Sequence, residues 1–286
     1  MKAWLILAAI LGTSVSCGPT VAPEDKPAVA MIGTGTLAGT LGPALGKAGY
    51  PVIYGSRDPA RESVRTLVER TGPRASAVGQ PEAAAQAQIV LLAVPGEVVE
   101  EVASNLGSLD GKIIIDVSGG AKRVAPDGYL ELVSDSTRAE RIQAKHPRMR
   151  VVRINLPSMI LFAEPMLLGT RATVPIAAND PRAREAVANI MFDLGVDPWD
   201  AGPLRFSRVF DAMNVMGLVP AQQGRAESYE VKLLPTVPLS CFVDVGELFG
   251  FGKPYDSSAL PRFPRRDSLV SCDQWRRRLR MDEQSP

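Results

Sequence analysis

The sequence predicts an α/β fold with a doubly wound, mostly parallel β-sheet, extended by C-terminal β/α units and ending in an irregular arm. Two observations lead to this prediction. Short apolar runs alternate with stretches of helical periodicity over residues 27–216, and small-residue turns follow several of these runs. Such alternation is typical of parallel sheets, whose strands are buried on both faces. The segment 217–286 is rich in proline and glycine and has a basic end, which predicts an arm rather than a further layer.

The composition excludes several classes of function. The 286 residues include 32 basic and 31 acidic side chains, so the chain lacks the basic surplus of a nucleic-acid-binding protein. The three cysteines, Cys17, Cys241 and Cys272, are too scattered for a disulfide framework, and the single His146 excludes a multi-histidine metal site. We therefore expect no metal, and any chemistry to depend on an organic cofactor.

The N-terminus has the pattern of an export signal. Lys2 is followed by nine apolar residues and then by small residues that end in Cys17. This predicts a signal peptide over residues 1–17, a tether over 18–26 and a location in the cell envelope. The pattern leaves three alternatives open. In the first, Cys17 is lipidated and its lipid is the only contact with the membrane. In the other two, the signal is cleaved without lipidation or is kept uncleaved as an anchor. A cytoplasmic protein with a downstream start is the alternative.

The first apolar run of the body leads into a glycine turn and a helix. The run 27–32 precedes the pattern G-x-G-x-x-A, and helical periodicity then continues to Ala48. Between a buried strand and a helix this pattern is typical of dinucleotide-binding, Rossmann-type domains, because the glycines let a pyrophosphate approach the helix N-terminus. The predicted cofactor-binding residues of this turn are Gly33, Thr34, Gly35, Thr36, Leu37 and Ala38.

The end of the second predicted strand, Val52 to Tyr54, indicates which dinucleotide binds. An NAD site usually has an acidic residue here, whereas this chain has Ser56 and Arg57, which suit a ribose 2′-phosphate. Asp58 and Pro59 are interpreted as the N-cap and first residue of the next helix. The sequence therefore favours NADP(H) as the cofactor.

The remaining elements continue the alternation. Strands are predicted over 75–78, 89–94, 113–117, 150–154, 172–178 and 196–199, and helices over 81–87, 98–106, 181–194 and 204–216. Ligands of such sheets bind beyond the carboxyl ends of the strands. The turns after the fourth and fifth strands should therefore flank the cofactor, and their candidate contacts are Ala93, Val94, Pro95 and Ser118.

Several of these motifs together resemble the NADP oxidoreductases that use the deazaflavin coenzyme F420. They include the glycine turn, Gly55-Ser56-Arg57, Leu92 to Pro95, Asn155 and Leu194 to Pro198, within residues 28–216. The domain is similar also to the reductase part of the six-transmembrane metalloreductases. The resemblance implies NADPH on the glycine turn, its 2′-phosphate on Ser56 and Arg57, and its nicotinamide near Pro95 and Asn155.

Two functions of different classes follow from these patterns. The first is an NADPH-dependent oxidoreductase that transfers hydride to a small, flat redox acceptor, such as F420, a flavin or a quinone-like molecule. It would need no catalytic side chain, because transfer between two cofactors depends on proximity and water exclusion. The second is a non-catalytic envelope protein that binds a nucleotide or a partner through the same fold. Whether the chain forms a homodimer stays open.

Overall fold

The structure, a computed structural model, describes residues 26–225 and contains one eight-stranded sheet in that range. The strand order is β10-β9-β8-β5-β4-β1-β2-β3. The chain leaves β1 towards β2 and β3 and then returns to the other side of β1 with β4. This reversal between β1 and β4 is the switch point at which doubly wound sheets bind their ligands.

The first half of the body consists of regular strand and helix pairs. Its elements are β1 Val29–Ile32, α1 Thr36–Lys47, β2 Val52–Ser56, α2 Glu62–Thr71, β3 Ala75–Gly79, α3 Gln80–Gln86, β4 Ile89–Leu92, α4 Val99–Asn105 and β5 Ile113–Asp116. Every pair of neighbouring strands among β1–β5 is parallel. The carboxyl ends of these five strands therefore lie along one edge of the sheet, which we call the carboxyl edge.

The second half begins with a small insertion and then extends the sheet. Its elements are β6 Lys122–Val124, β7 Leu130–Leu132, α5 Arg138–Lys145, β8 Arg150–Ile154, α6 Ile160–Ala163, β9 Thr173–Ala178, α7 Pro181–Asp193, β10 Asp197–Gly202 and α8 Ser207–Gln222. β6 and β7 form an antiparallel hairpin apart from the main sheet. β8 is parallel to β5, β9 is antiparallel to β8, and β10 is parallel to β9.

Two apolar clusters cover the two faces of the sheet. Alternate strand residues point to opposite faces, so Met31 belongs to one cluster and Ile32 to the other. The cluster with Met31 includes buried residues of α1, α2, α6 and α7, and the cluster with Ile32 includes those of α3, α4 and α5. The predicted doubly wound, mostly parallel α/β fold is thereby confirmed.

The structure differs from the predicted elements at three points. α2 begins at Glu62 with Arg61 as its N-cap, so the assignment of Asp58 and Pro59 to the helix start is wrong. The Oδ1 atom of Asp58 instead accepts a hydrogen bond from the N–H of Ala60 within the loop. The hairpin, α5 and α6 were not predicted at all. The body was expected to end at residue 216, whereas α8 continues to Gln222.

The terminal predictions lie almost entirely outside the described residues. The signal over 1–17 and most of the tether over 18–26 precede residue 26, and most of the arm over 217–286 follows residue 225. The last tether residue, Lys26, is described, and its ammonium group donates a hydrogen bond to the carbonyl oxygen of Ala48 at 2.9 Å.

Candidate dinucleotide-binding site

The glycine turn after β1 is closely packed against the turn after β4. Gly33 has φ of 114°, which favours glycine, and a Cβ at this position would collide with the carbonyl oxygen of Ala93. The backbone N–H of Gly33 donates to the carbonyl oxygen of Gly55, at 3.0 Å, and the N–H of Ala93 donates to that of Ile32, at 2.8 Å. The fold itself therefore requires glycine at position 33.

Gly35 has a different environment. It is the N-cap of α1 with φ of −82°, and a Cβ built on it would have no heavy atom within 4 Å. No side chain caps the helix, so the first-turn N–H groups at Thr36 and Leu37 face the exposed end of α1. Ala38 is fully buried against the sheet. The turn therefore offers an uncapped helix N-terminus, where the helix dipole favours an anion.

The end of β2 carries polar groups beside this turn. Ser56 is buried, and its Oγ atom accepts a hydrogen bond from the N–H of Asp58 at 3.1 Å, which leaves the hydroxyl proton free to be donated. Arg57 is exposed. Arg61, which sequence reasoning missed, donates from Nη2 to the Oγ1 atom of Thr34 at 3.4 Å. Arg61, the N-cap residue of α2, thus places a second guanidinium group at the glycine turn.

The other predicted residues follow β4, β5 and β8 on the same edge. A Cβ on Gly33 would lie 3.4 Å from Cγ1 of Val94, so the turns after β1 and β4 are in contact. Pro95 is exposed and directly precedes a 3₁₀ turn. Ser118 is buried next to β5, and Asn155 follows β8, where its N–H donates to the carbonyl oxygen of Pro175 at 3.2 Å. Because β4, β5 and β8 are adjacent and parallel, the sheet brings all of these residues to the carboxyl edge.

A buried ion cluster that sequence reasoning missed lies beneath the turn after β5. Arg153 of β8 is 1% exposed, and its Nε lies 3.7 Å from Oδ2 of Asp116, at the end of β5. Its Nη2 lies 3.2 Å from Oδ1 of Asp211 in α8. Burial raises the pKa of Asp116, and the charge of Arg153 opposes that shift. A charged residue at a buried position of an apolar strand, as Arg153 is, was the signal that could have revealed this cluster.

Two further cations hold the turn after β5. The Nη1 atom of Arg138, in α5, donates to the carbonyl oxygen of Gly119, and a Cβ on Gly96 would lie 2.6 Å from the same nitrogen. The Nζ atom of Lys122, in β6, donates to the carbonyl oxygen of Gly120 at 3.1 Å. Arg138 therefore packs against the turns after β4 and β5, and both cations come from the unpredicted insertion.

No group of three or more histidine, cysteine, aspartate or glutamate side chains that could hold a metal ion occurs within residues 26–225.

None of the helices described between Lys26 and Arg225 combines the length and apolar character needed to cross a bilayer.

The strand order and the glycine turn at the switch point define the class of this protein as a Rossmann-type fold. Residues 28–120 match the family model of NADP oxidoreductases that are coenzyme F420-dependent. A solved structure of a candidate F420-dependent NADP reductase from Arthrobacter sp. FB24 matches with a TM-score of 0.64 and 25% identity, over 73% of this chain and 100% of that chain. The predicted resemblance is therefore confirmed.

Two further comparisons extend the likeness. The chain is 27% identical over 194 residues to the metalloreductase STEAP3 of Rattus norvegicus, and this match covers 67% of the chain and 37% of the relative. The chain thus spans little more than a third of that relative's length. A reductive aminase from Aspergillus terreus, solved with NADPH, matches with a TM-score of 0.53 and 17% identity, over 70% of this chain and 63% of that one, which shows a shared fold.

Proposed function

We propose that this protein binds NADP(H) at the carboxyl edge of the sheet and uses it to reduce a small, flat redox acceptor. The observation that carries the proposal is the uncapped N-terminus of α1 behind Gly35, at the switch point of a doubly wound sheet. This arrangement suits the pyrophosphate of a dinucleotide, because backbone N–H groups and the helix dipole both favour an anion there. The family resemblance and the reductases that share the fold support the same conclusion.

The groups beside β2 fit the cofactor's 2′-phosphate. Ser56 has a hydroxyl proton to donate, and Arg57 and Arg61 lie on the loop between β2 and α2. Two guanidinium groups can donate charge-assisted hydrogen bonds to a phosphate, whereas a free ribose hydroxyl would gain little from them. We therefore expect NADPH to bind more tightly than NADH.

The opposite half of the site would hold the nicotinamide ring, near Pro95, Ser118 and Asn155. When bound, NADPH supplies the hydride, and the protein supplies orientation and excludes water. The Oγ atom of Ser118 is buried beside the carboxylate of Asp116. A small side-chain movement would turn this hydroxyl towards the carboxamide of the ring.

The acceptor follows only from resemblance, so we name it as a class. Coenzyme F420, a flavin or a quinone-like molecule would each present a flat conjugated ring to the nicotinamide. The alternative is a non-catalytic envelope protein that binds the nucleotide without turning it over, which the apolar N-terminal run of the sequence favours.

The proposal is tested by titrating the purified chain with NADPH and NADH while nicotinamide fluorescence is followed. Gly35→Val places a branched side chain where the pyrophosphate would lie, and the open surroundings of Gly35 predict an unchanged thermal midpoint. We expect this variant to lose at least tenfold in NADPH affinity. Gly39→Val is the matched control, because its Cβ also meets no atom within 4 Å but lies about one helical turn further along α1.

Turnover separates the two candidate functions. NADPH oxidation is measured with F420, FMN and menadione as acceptors. Tight NADPH binding with no oxidation by any of the three would favour the non-catalytic function. Equal NADPH affinity of the parent and of a folded Gly35→Val variant would contradict the dinucleotide site altogether.

A further inference from the structure

One half-buried cation of the carboxyl edge, Lys122, has no role in cofactor binding as proposed above. Lys122, the first residue of β6, extends its Nζ over the turn after β5. Nζ donates to the carbonyl oxygen of Gly120 at 3.1 Å, and a Cβ on Gly119 would lie 2.8 Å from it. The ammonium group thus lies against the turn that follows Ser118, in the half of the site proposed for the nicotinamide and its acceptor.

Charged groups from four elements surround this ammonium group. They are Asp211 of α8, Arg138 of α5, Arg153 of β8 and Glu97 of the 3₁₀ turn after β4. Asp211 is the counter-charge with the largest effect on Lys122, but it also pairs with Arg153 at 3.2 Å. Burial lowers the pKa of Lys122, Arg138 and Arg153 lower it further, and Asp211 and Glu97 only partly oppose the shift. The surroundings therefore favour loss of the Nζ proton.

Holding the turn after β5 does not require a lysine that is half-buried beside two arginines. Arg138 already holds the same turn through the carbonyl oxygen of Gly119 and packs against Gly96. A half-buried lysine next to other cations is instead an arrangement that destabilises the ammonium form, so that Nζ gives up its proton more readily than the Nζ of an exposed lysine does.

We propose that Lys122 is the proton donor for the acceptor that is reduced at this edge, an inference that rests on the proposed function. An acceptor that takes a hydride gains two electrons and one hydrogen at a carbon or nitrogen atom. Negative charge then develops on a conjugated oxygen or nitrogen. The Nζ–H bond of Lys122 breaks as the new O–H or N–H bond forms, and water later returns a proton to the neutral amine. The acceptor is therefore a compound with a carbonyl or imine-type nitrogen conjugated to the atom that takes the hydride.

The proton held by Nζ can be followed without turnover. The protein has only eight lysines, so ¹⁵Nζ resonances of ¹⁵N-lysine-labelled protein can be titrated with pH, and the Lys122 signal is assigned by its absence in Lys122→Arg. We expect Lys122 to titrate at a lower pH than a lysine side chain in an unfolded peptide. Its midpoint should be lower with saturating NADP⁺ than with saturating NADPH, because the two nucleotides differ by the positive charge of the oxidised ring.

A second measurement uses Lys122→Arg and Lys122→Met, with Lys145→Arg and Lys145→Met as controls. At saturating NADPH and neutral pH, both Lys122 variants should reduce F420, FMN or menadione at least tenfold more slowly than the parent. Their NADPH affinity should stay within about twofold, and the fall in parent rate at alkaline pH should disappear. A lysine that only positioned the turn would be replaced by arginine without loss of rate.

The outcomes distinguish the role of Lys122 from the proposed NADPH-dependent function on which it rests. If NADPH does not bind, both fail. If NADPH binds but Lys122 titrates as a lysine in an unfolded peptide does, with the same midpoint in NADP⁺ and in NADPH, only the inference is overturned. This result decides the matter even when none of the three acceptors is reduced. A parent-like rate and pH profile of Lys122→Arg would overturn it as well.

Discussion

At the scale of single residues, we expect the proposed selectivity for NADPH to depend on the loop between β2 and α2. Arg57→Ala should remove the proposed charge-assisted contact with the 2′-phosphate, and such a contact is typically worth about 1.5–3 kcal/mol. We expect NADPH to bind roughly ten- to a hundredfold more weakly and NADH to bind almost unchanged. Titration of both nucleotides with the parent and the variant measures the difference.

Arg61 provides a second test of the same phosphate contact. Its guanidinium group donates a hydrogen bond to Thr34 of the glycine turn, so Arg61→Ala should also weaken NADPH binding. The double variant should bind NADPH and NADH about equally. Raising the salt concentration should weaken NADPH more than NADH, because the contact is charged and exposed. If Arg57→Ala and Arg61→Ala both keep the preference of the parent, the loop does not read the phosphate.

Individual residues were predictable from sequence to different degrees. The glycine turn was predictable because Gly33 and Gly35 have fixed spacing between a strand and a helix. Arg61 was not, because its role depends on where α2 begins, and the Asp58-Pro59 pair is a stronger helix-start signal than Arg61. The Asx-type contact of Asp58 with Ala60 is the local alternative that prevailed.

At the scale of elements, α5 is joined to α8 by a small network at its N-terminus. The Oγ1 atom of Thr137 accepts from the N–H of Glu140 in a capping box and lies 2.8 Å from Oγ of Ser207. Nε and Nη2 of Arg208 donate to the carboxylate of Glu140 at 2.8–3.1 Å. Since α5 carries Arg138 and α8 carries Asp211, this network positions two charged groups around the turn after β5.

The network predicts a pH dependence of stability. Partial burial alone would raise the pKa of Glu140, but hydrogen bonds from Arg208 and Thr137 outweigh it and hold the pKa below its ordinary value. A lowered folded-state pKa stabilises the protein above the unfolded pKa and loses this effect as pH falls through the folded value. Glu140→Gln should therefore be less stable than the parent at pH 7, and the difference should disappear as the pH falls through the folded-state pKa of Glu140.

Denaturant unfolding of both proteins between neutral and acidic pH checks this expectation. Glu69→Gln is the control, because Glu69 is exposed on α2, and it should leave the free energy of unfolding unchanged. A Glu140→Gln variant that is as stable as the parent at pH 7 would contradict the prediction.

Removal of the cap also has an effect that does not depend on the charge of Glu140. Thr137→Ala loses the N-cap hydrogen bond of α5 and the contact with Ser207, and we expect a loss of about 1 kcal/mol in the free energy of unfolding. The same denaturant experiment measures it. A loss that is confined to acidic pH would contradict the capping role.

The hairpin and α5 show why these elements were missed from sequence. β6 and β7 have three residues each, which is too short for an alternation such as Leu-Glu-Leu in β7 to indicate a strand. α5 has only Ala139 and Ile142 as buried apolar residues, so its periodicity is weak. The local signals were nevertheless present, in the Pro126-Asp127-Gly128 turn and in the Thr137-x-x-Glu140 capping box.

At the scale of the whole molecule, strand direction places the proposed ligand site on one edge only. β9 and β10 are antiparallel to the rest of the sheet, so their carboxyl ends point to the opposite edge. Asn179 and Asp180, which follow β9, line an open groove there together with Arg148 and Arg182. From their position after a strand, Asn179 and Asp180 would be expected to contact the ligand. Because β9 is antiparallel to β8, they lie at the opposite edge and not at the proposed site.

Hydrogen exchange tests this division of the molecule. Saturating NADPH should slow amide exchange in segments 33–38, 55–61, 93–98 and 117–120, all at the carboxyl edge. Segments 146–150 and 179–184, at the opposite edge, should exchange as they do without nucleotide. Protection of the second set in preference to the first would contradict the placement of the cofactor.

The N-terminus gives a prediction on cellular location. We propose that residues 1–17 act as an export signal, so the mature chain should begin at or near Cys17, and lipidation would add the mass of its acyl groups and bring the protein to membranes. Intact mass after fractionation of the native host measures both. An unmodified, full-length chain in the cytosolic fraction would show that the proposal is wrong.

The order of elements explains what sequence could reveal about the whole. Strands β1 to β5 alternate regularly with helices, so their parallel arrangement follows from the chain order. The buried ion cluster could not be derived in this way, because Asp116, Arg153 and Asp211 meet only when α8 packs beside β8. The same holds for Lys122, whose surroundings come from four separate elements.

The unequal surroundings of Gly33 and Gly35 have a consequence for variation in this motif. In a library randomised at both positions and sorted only for folded protein, position 33 should keep glycine, because any Cβ there collides with the backbone of Ala93 and the positive φ is strained. Position 35 should accept many residues until the library is sorted on immobilised nucleotide. We therefore expect a natural relative that keeps glycine at position 33 but has another residue at position 35 to fold and to bind no dinucleotide.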